Sequence, residues 1–281
     1  MCYDEKSIDE KVKKGIQVMT KQEFIKTIPG IKALGVVFSQ ATRMPMVFCH
    51  EETMDDYIYV YLEAEEAKEK VQALSDAKEP AFVVNCKDKE VLQFFGEPRL
   101  TGVNAVCFVT PKAQGGEEFM VQLTEFLRFP DLNSLPEEKR PLENTTLHLS
   151  MLYFMQEMRK PVAREEKQNL AELEEETSAN LAKGKFLIPV KEAAEGEEQG
   201  KRAIMMLKNE KGEVFFPLFT DAAELRKFAK GQDCQVVHGT FAMVADMMKK
   251  GDVTGLVVNP ASINLILTKP GVASVEKRFL A

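Results

Sequence analysis

The sequence predicts an α/β protein, α+β by some criteria, made of two similar mixed-sheet domains that arose by internal duplication. In the first half, the apolar run at residues 57–62 is followed at once by a helical pattern. In the second half, the run at residues 213–219 is followed by another helical pattern. Each half then continues as strand, helix, strand, and the lengths of the elements agree. The alternative is that any two α/β units resemble each other in this way.

The first domain is predicted to span residues 20–128, after a charged helical lead-in at residues 1–19. Asp88 is expected to cap a short helix that stops at Gly96. Apolar runs of strand length predict strands at residues 33–38, 44–48, 57–62, 81–84 and 103–109. Helical spacing of apolar residues predicts helices at residues 63–74, 88–96 and 117–128.

Residues 129–162 are predicted to be a proline-rich linker followed by an apolar helix at residues 145–159. That helix is apolar almost all round, and a helix of this kind is usually buried on several sides. We expect it to lie between the two domains, with His148 as a hydrogen-bonded packing residue. The alternative is a homo-oligomer or partner surface through residues 145–159, because the methionines between Met151 and Met158 adapt to varied surfaces.

The second domain is predicted to span residues 163–281. Asp221 is expected to cap a helix, with Glu224 completing a capping-box-like pair. Gly212 supplies the positive φ that a hairpin turn needs. Apolar runs predict strands at residues 186–190, 203–207, 213–219, 234–237, 255–260 and 263–267. Helices are predicted at residues 164–183, 221–230, with a core face of Leu225, Phe228 and Ala229, and 240–250, with a core face of Phe241, Val244, Ala245 and Met248.

Composition narrows the class of protein and its compartment. The formal net charge of −7 repels phosphate backbones, so we expect no nucleic-acid partner. No apolar run approaches the roughly 20 residues that span a bilayer, so we expect no membrane partner. The charged residues 1–14 contain no signal-peptide core. The cysteines are scattered (Cys2, Cys49, Cys86, Cys107 and Cys234), which is typical of thiols in a reducing compartment. We therefore expect a cytoplasmic protein.

Common catalytic and cofactor motifs do not occur in the sequence. It has no Gly-x-Gly-x-x-Gly, Gly-x-Ser-x-Gly or Cys-x-x-Cys, and the glycines in the acidic loop at residues 192–200 are surrounded by glutamates. Cys49 and His50 would point to opposite faces of a strand, so they would not chelate a metal together. The carboxylates lie in runs that are typical of solvated helix faces. We expect no catalytic residues, metal or cofactor, and an enzyme is the less favoured hypothesis.

One group of residues is a candidate ligand site. Thr220 and Asp221 lie where a predicted strand gives way to a helix, Thr240 lies at a second such junction, and Asn259 ends a third strand. If these strands are parallel neighbours, the junctions meet at the sheet edge where open α/β sheets usually bind ligands. The alternative is that Asp221 and Thr240 only cap helices and that Asn259 only turns the chain.

The second domain resembles the SseB (enhanced serine sensitivity) family over about residues 165–270. The stretches that carry the resemblance are residues 186–190 (FLIPV), 214–221 (VFFPLFTD) and 255–260 (GLVVNP). The first domain looks like a diverged copy, with Leu62 and Glu63 in place of the Thr-Asp pair. The resemblance implies an α/β fold and bacterial origin, and it implies no catalytic residues or cofactor.

These observations leave three hypotheses for function. The leading one is a non-catalytic cytoplasmic binding or regulatory module that recognises a partner protein or a small metabolite. The second is a metabolite sensor or enzyme that uses the edge formed by Thr220, Asp221, Thr240 and Asn259. The third is a scaffold or oligomerisation protein that uses the methionine-rich helix at residues 145–159.

Overall fold

A computed structural model describes residues 19–192, 202–230 and 234–280. The predicted lead-in, except Met19, and the predicted acidic loop after Glu192 lie outside the described residues. The chain divides into two compact units. The first runs up to Gln40 and includes Pro45–Arg99 and Val103–Pro130, while the second comprises Ala41–Met44, Leu100–Gly102 and the chain from Asp131 onward. The predicted boundaries at 20–128, 129–162 and 163–281 stay predictions.

The first unit is built around one mixed sheet. Its strands are β1 (Ala33–Ser39), β2 (Phe48–Cys49), β3 (Asp56–Tyr61), β4 (Ala81–Lys87), β5 (Ala105–Val109) and β6 (Glu118–Gln122). Its helices are α1 (Lys21–Thr27), α2 (Ala67–Asp76), α3 (Lys89–Gly96) and α4 (Leu123–Phe126). The strand order is β4-β1-β3-β5-β6, with β2 paired to β3. The pair β3 and β5 is parallel, and the other pairs are antiparallel.

The core of the first unit lies on both faces of this sheet. On one face, Tyr59 and Tyr61 of β3 belong to a cluster with Ala67 and Leu74 of α2. On the other, Phe24 of α1 stacks on a phenylalanine of β6, Phe119, with ring centroids 4.5 Å apart. Since successive strand residues point to opposite faces, the near-continuous apolar run of β3 serves both layers.

Within the described residues, the second unit contains two sheets joined by one isolated bridge. Its strands are β7 (Lys185–Glu192), β8 (Arg202–Ile204), β9 (Leu207–Lys208), β10 (Val214–Leu218), β11 (Gln235–Thr240), β12 (Gly255–Val258) and β13 (Leu265–Thr268). Its helices are α5 (Thr145–Met158), α6 (Leu170–Lys183), α7 (Ala222–Ala229), α8 (Phe241–Lys250) and α9 (Lys269–Phe279). The sheet orders are β13-β12-β10-β9 and β11-β7-β8, and the bridge joins Leu187 to Phe219.

The predicted mixed α/β class is confirmed, because both units combine helices with mixed sheets. Read through the bridge, the second unit has the order β11-β7-β10-β12-β13, which follows the same connections as β4-β1-β3-β5-β6. Among the described strands, each order contains one parallel pair. It is β3 with β5 in the first unit and β10 with β12 in the second unit. The duplication itself stays a prediction.

Three predicted elements of the first unit are wrong. Residues 117–128 do not form one helix, because Phe119, Val121 and Leu123 are buried at every second position and residues 118–122 form β6. Residues 44–48 do not form one strand: Pro45, which has no N–H to continue a ladder, makes an isolated bridge to Phe38, and of these residues only Phe48 lies in a strand, β2. Asp88 precedes α3 as predicted, but its φ of 50° leaves its side chain without a capping bond.

The second unit departs from prediction in three places. The predicted helix at 164–183 is a short 3₁₀ turn followed by α6, since Asn169 adopts a left-handed φ of 50°. Residues 202–204 pair with β7 and not with β10, whereas β9 and β10 form the hairpin in which Gly212 has a φ of 80°. Helix α9 was not predicted, although a proline in its first turn is a usual helix start.

No helix within the described ranges is long and apolar enough to cross a membrane.

Two glycines of the second unit provide a matched test of its packing. A Cβ on Gly255 would lie 2.2 Å from the carbonyl oxygen of Leu267 on β13, so we expect Gly255→Ala to lower the free energy of unfolding by at least about 1–3 kcal/mol. Gly271 in α9 meets nothing closer than 3.9 Å, so Gly271→Ala should be neutral or up to about 1 kcal/mol more stable. Urea unfolding followed by circular dichroism measures both, and equal stabilities would contradict the packing described.

Candidate functional site

The structure brings three of the four predicted site residues together. Strands β10 and β12 run parallel, with Leu218 opposite Val258, so the residues that follow them meet at one edge. The backbone N–H of Asn259 donates to the carbonyl of Leu218 at 2.9 Å. Thr220, Asp221 and Asn259 are 0%, 2% and 0% exposed. The edge is therefore a buried cluster of polar groups.

Asn259 binds Thr220 through two reciprocal hydrogen bonds. The backbone N–H of Thr220 donates to the Asn259 side-chain oxygen at 3.1 Å, and the Asn259 amide donates to the Thr220 hydroxyl at 2.9 Å. Asn259 has a φ of 51°, a left-handed conformation that asparagine tolerates better than most residues. Its residue type is thus required both by its backbone and by its side chain.

Asp221 joins this pair to the start of α7. One carboxylate oxygen accepts from the backbone N–H groups of Ala223 at 2.8 Å and Glu224 at 3.0 Å, which is the predicted N-cap. The other oxygen accepts from the Thr220 hydroxyl at 2.8 Å and lies 3.5 Å from Nδ1 of His148. The carboxylate is therefore surrounded by donors.

The surroundings of Asp221 set its ionisation. Burial raises the pKa of its carboxyl group, but the hydrogen bond from His148, the Glu224 N–H, the charge of His148 and the Thr220 hydroxyl together outweigh burial. The pKa of Asp221 is lowered below its ordinary value of 3.8 as a result. The carboxylate is ionised near neutral pH.

His148 enters the cluster from α5 and is 1% exposed. Its Nδ1 lies 3.4 Å from the Thr220 hydroxyl, in addition to the approach to Asp221. Its Nε2 has no hydrogen-bond partner within the part of the chain that the structure describes. A Ser-His-Asp type of triad needs the nucleophile and the acid on opposite ring nitrogens, whereas here both approach the same nitrogen. The geometry does not support nucleophilic catalysis by Thr220.

Glu224 is a part of the cluster that sequence reasoning placed wrongly. It was expected to complete a capping box, but its side chain is buried, accepts from the Ser262 hydroxyl, and pairs with Lys227 at 3.0 Å. The residues of the predicted core face of α7 are only half-buried: Leu225, Phe228 and Ala229. The one buried residue of helix α7 is Glu224. The Glu-x-x-Lys spacing was the available signal for the ion pair.

Asn144 was also missed. Its side-chain amide donates to the carbonyl oxygens of Lys185 at 2.6 Å and Thr220 at 2.7 Å, so it links the start of β7 to the segment between β10 and α7. It precedes α5, where a prediction from sequence would assign it only a capping role, yet it makes no capping bond there. No local signal in the sequence pointed to these partners.

Thr240 does not join the cluster. The premise that three strands are parallel neighbours holds for β10 and β12 but not for β11, which pairs antiparallel with β7. The exposed Thr240 caps α8, accepting from the Met243 N–H at 3.3 Å. The core face predicted for this helix is confirmed, since Phe241, Val244, Ala245 and Met248 are its buried residues.

Among the described residues, no group of three His, Cys, Asp or Glu side chains is arranged to hold a metal ion. The acidic members of the buried cluster, Asp221 and Glu224, already accept hydrogen bonds from protein donors. The arrangement can fix loops and helix starts.

Comparison with known proteins confirms the predicted resemblance. Residues 163–274 match the family model of the SseB protein N-terminal domain. No curated protein matches the chain.

Two solved structures were also found. Anabaena Tic22 (protein transport) is 12% identical, with 86% of this chain and 92% of that chain covered and a TM-score of 0.20. Tic22 from Plasmodium falciparum is 11% identical, with 90% and 96% covered and a TM-score of 0.21.

The buried cluster predicts a specific cost for losing the Asn259 side chain. Asn259→Ala leaves the buried Thr220 N–H without its acceptor, and it forces alanine into a left-handed conformation. Asn264 also has a left-handed φ, 52°, but its side chain makes no hydrogen bond among the described residues. We expect Asn259→Ala to lose about 1–3 kcal/mol more unfolding free energy than Asn264→Ala. Equal losses in urea unfolding would contradict a structural role for the side-chain bonds.

The lowered pKa of Asp221 predicts a pH dependence of stability. Because the folded-state pKa lies below the ordinary value of 3.8, the ionised carboxylate stabilises the fold above pH 3.8. That stabilisation is lost as pH falls through the folded-state pKa. The free energies of unfolding of the parent and of Asp221→Asn, measured in urea, should therefore differ most above pH 3.8 and converge at lower pH. A difference that does not change with pH would refute this assignment.

Proposed function

We propose that the chain is a non-catalytic cytoplasmic binding or regulatory module, SseB-like, that recognises a partner protein or a small metabolite without transforming it. One observation carries the proposal. Thr220, Asp221 and Asn259, the predicted ligand residues, direct their side-chain polar atoms at one another and at neighbouring protein groups while almost wholly buried. Buried polar groups that satisfy one another act as a structural element.

The structural task of the cluster is visible in what it holds. Asn259 accepts backbone hydrogen bonds from Ser262 at 3.1 Å and Asn264 at 2.9 Å through its carbonyl, so it closes the loop between β12 and β13. Asp221 starts α7, and Asn144 attaches β7. These bonds fix the ends of β7, α7, β12 and β13. A stable recognition module requires such fixed ends, and they involve no catalytic step.

The cytoplasmic part of the proposal is supported by the thiols. Cys49, Cys86, Cys107 and Cys234 are all free. Burial and the carboxylate of Glu118 raise the pKa of Cys107, so this thiol stays protonated and unreactive. Free, protonated thiols suit a reducing compartment.

The scaffold alternative finds less support. Met151 and Met155, the centre of the proposed partner surface on α5, are fully buried within the chain. They cannot contact a partner in this conformation.

A metabolite sensor is the second candidate function. It is favoured by the convergence of Thr220, Asp221 and Asn259 at the carboxyl ends of two parallel strands, where α/β sheets bind ligands. The unpartnered Nε2 of His148 in the same cluster is a buried acceptor or donor that a small polar molecule could satisfy.

A ligand screen on two matched variants separates these functions. Thr220→Val removes the buried hydroxyl, and Thr240→Val removes an exposed one outside the cluster. A dye-based thermal shift suits a chain without tryptophan, with a metabolite panel as ligands. We expect any stabilising compound to raise the melting temperature of both variants as much as that of the parent. At about 100 times its Kd, such a compound adds about 2.7 kcal/mol to the free energy of unfolding. A shift lost in Thr220→Val and kept in Thr240→Val would establish the sensor instead.

A further inference from the structure

Strand β4 is the outermost strand at one edge of the sheet in the first unit. It pairs with β1 over its whole length, from Ala81 opposite Ser39 to Lys87 opposite Ala33, and among the described residues no strand lies on its other side. With seven residues, β4 is longer than β6 at the opposite edge, which has five. An edge strand presents a row of unpaired N–H and C=O groups, to which another strand can bond.

The flanking hydrogen bonds show which backbone groups of β4 face outward. The N–H of Gln40 donates to the carbonyl of Pro80 at 2.9 Å, and the N–H of Asp88 donates to the carbonyl of Lys32 at 2.7 Å. Because hydrogen-bonded pairs alternate along an antiparallel ladder, the even-numbered residues of β4 bond to β1. The Ala81 carbonyl, which points outward, accepts from the side-chain amide of Gln40 at 3.3 Å. The residues whose backbone groups point away from β1 are Ala81, Val83, Asn85 and Lys87.

The features that usually protect an edge strand are weak on the outer side of β4. Proline blocks pairing because it has no N–H, but the missing N–H of Pro80 is on the side that faces β1. The one charged residue of the strand, Lys87, lies at its end, where its backbone N–H donates to the carboxylate of Glu90 at 3.1 Å. The backbone groups of Val83 and Asn85 have no hydrogen-bond partner among the described residues. The middle of the strand is therefore open to pairing.

The side chains in the middle of β4 are apolar and partly open to solvent. Phe82 is 36% exposed and Val84 is half-buried, and the ring centroid of Phe82 lies 5.7 Å from that of Phe38 on β1. On the other face, the half-buried Val83 packs against the core cluster that contains Leu74 of α2. A strand added beside β4 would therefore meet apolar side chains on both faces of the sheet.

We propose that β4 is a homodimer interface, at which β4 of a second copy of this chain pairs antiparallel about a two-fold axis at Val83. In this register the two Val83 residues form the central hydrogen-bonded pair, and Phe82 of each copy lies opposite Val84 of the other. Lys87 of each copy lies opposite Glu79 of the other, so two pairs of opposite charges flank the apolar centre. This self-complementary order of apolar and charged residues favours a second copy over an unrelated strand.

This inference goes beyond the proposed function and does not depend on it. One strand pair is a small interface, so we expect a micromolar Kd for the dimer, measured by sedimentation velocity of the full chain from about 1 to 500 µM. Val83→Pro removes an outward N–H and no bond to β1, and it should raise this Kd at least about tenfold. The matched control is Met120→Pro, which removes an outward N–H from β6 and affects a residue packed against the same core cluster. It should leave the Kd unchanged.

A charge exchange tests the register without a proline in the strand. Lys87→Glu places glutamates opposite each other at both ends of the interface and should weaken the dimer, and adding Glu79→Lys to it should restore the parent Kd. The circular dichroism of these surface variants should match that of the parent. A parent that stays monomeric over the whole concentration range, an equal Kd for Val83→Pro and Met120→Pro, or a double variant that dimerises no more tightly than Lys87→Glu would overturn the proposal.

Discussion

The reciprocal hydrogen bonds between Asn259 and Thr220 are the constraint on which the second unit depends. They join the carboxyl ends of its one described parallel strand pair at the point where both strands leave the sheet. The residues that follow both strands are positioned by these bonds. Asp221 caps α7, and the carbonyl of Asn259 closes the loop to β13. Polar groups this deeply buried cost free energy when they have no hydrogen-bond partner. The loss of one side chain therefore leaves its neighbours in the cluster unpaired as well.

Part of this arrangement follows from local signals in the sequence. Apolar runs located β10 and β12, and the residue types after them, Thr220, Asp221 and Asn259, were enough to predict a polar edge. Helix α8 was predicted with its buried face because its apolar spacing is complete. Such signals are local: each depends on residues within one or two turns of one another.

The rest could not be predicted, because it depends on partners far along the chain. His148 and Asn144 reach Thr220 and Asp221 across more than seventy residues, and nothing near either residue indicates this. Thr240 was misplaced because β7 intervenes between β10 and β11, a topological fact that no spacing encodes. Glu224 was expected to complete a capping box, because it follows Asp221 by three residues. Its burial becomes understandable only with Ser262 and Lys227 beside it.

The partners of the buried cluster also bear on where its domain begins. The family match spans residues 163–274, yet Asn144 and His148 both lie before it, on the approach to α5 and within it. A fragment cut at residue 163 would leave the carbonyl of Thr220 and the carboxylate of Asp221 without those donors. It would also lose the hydrogen bond that the Thr177 hydroxyl donates to the carbonyl of Ser150. The compact second unit, which includes the chain from Asp131 onward, is therefore longer than the segment that matches the family, and α5 is an internal part of it.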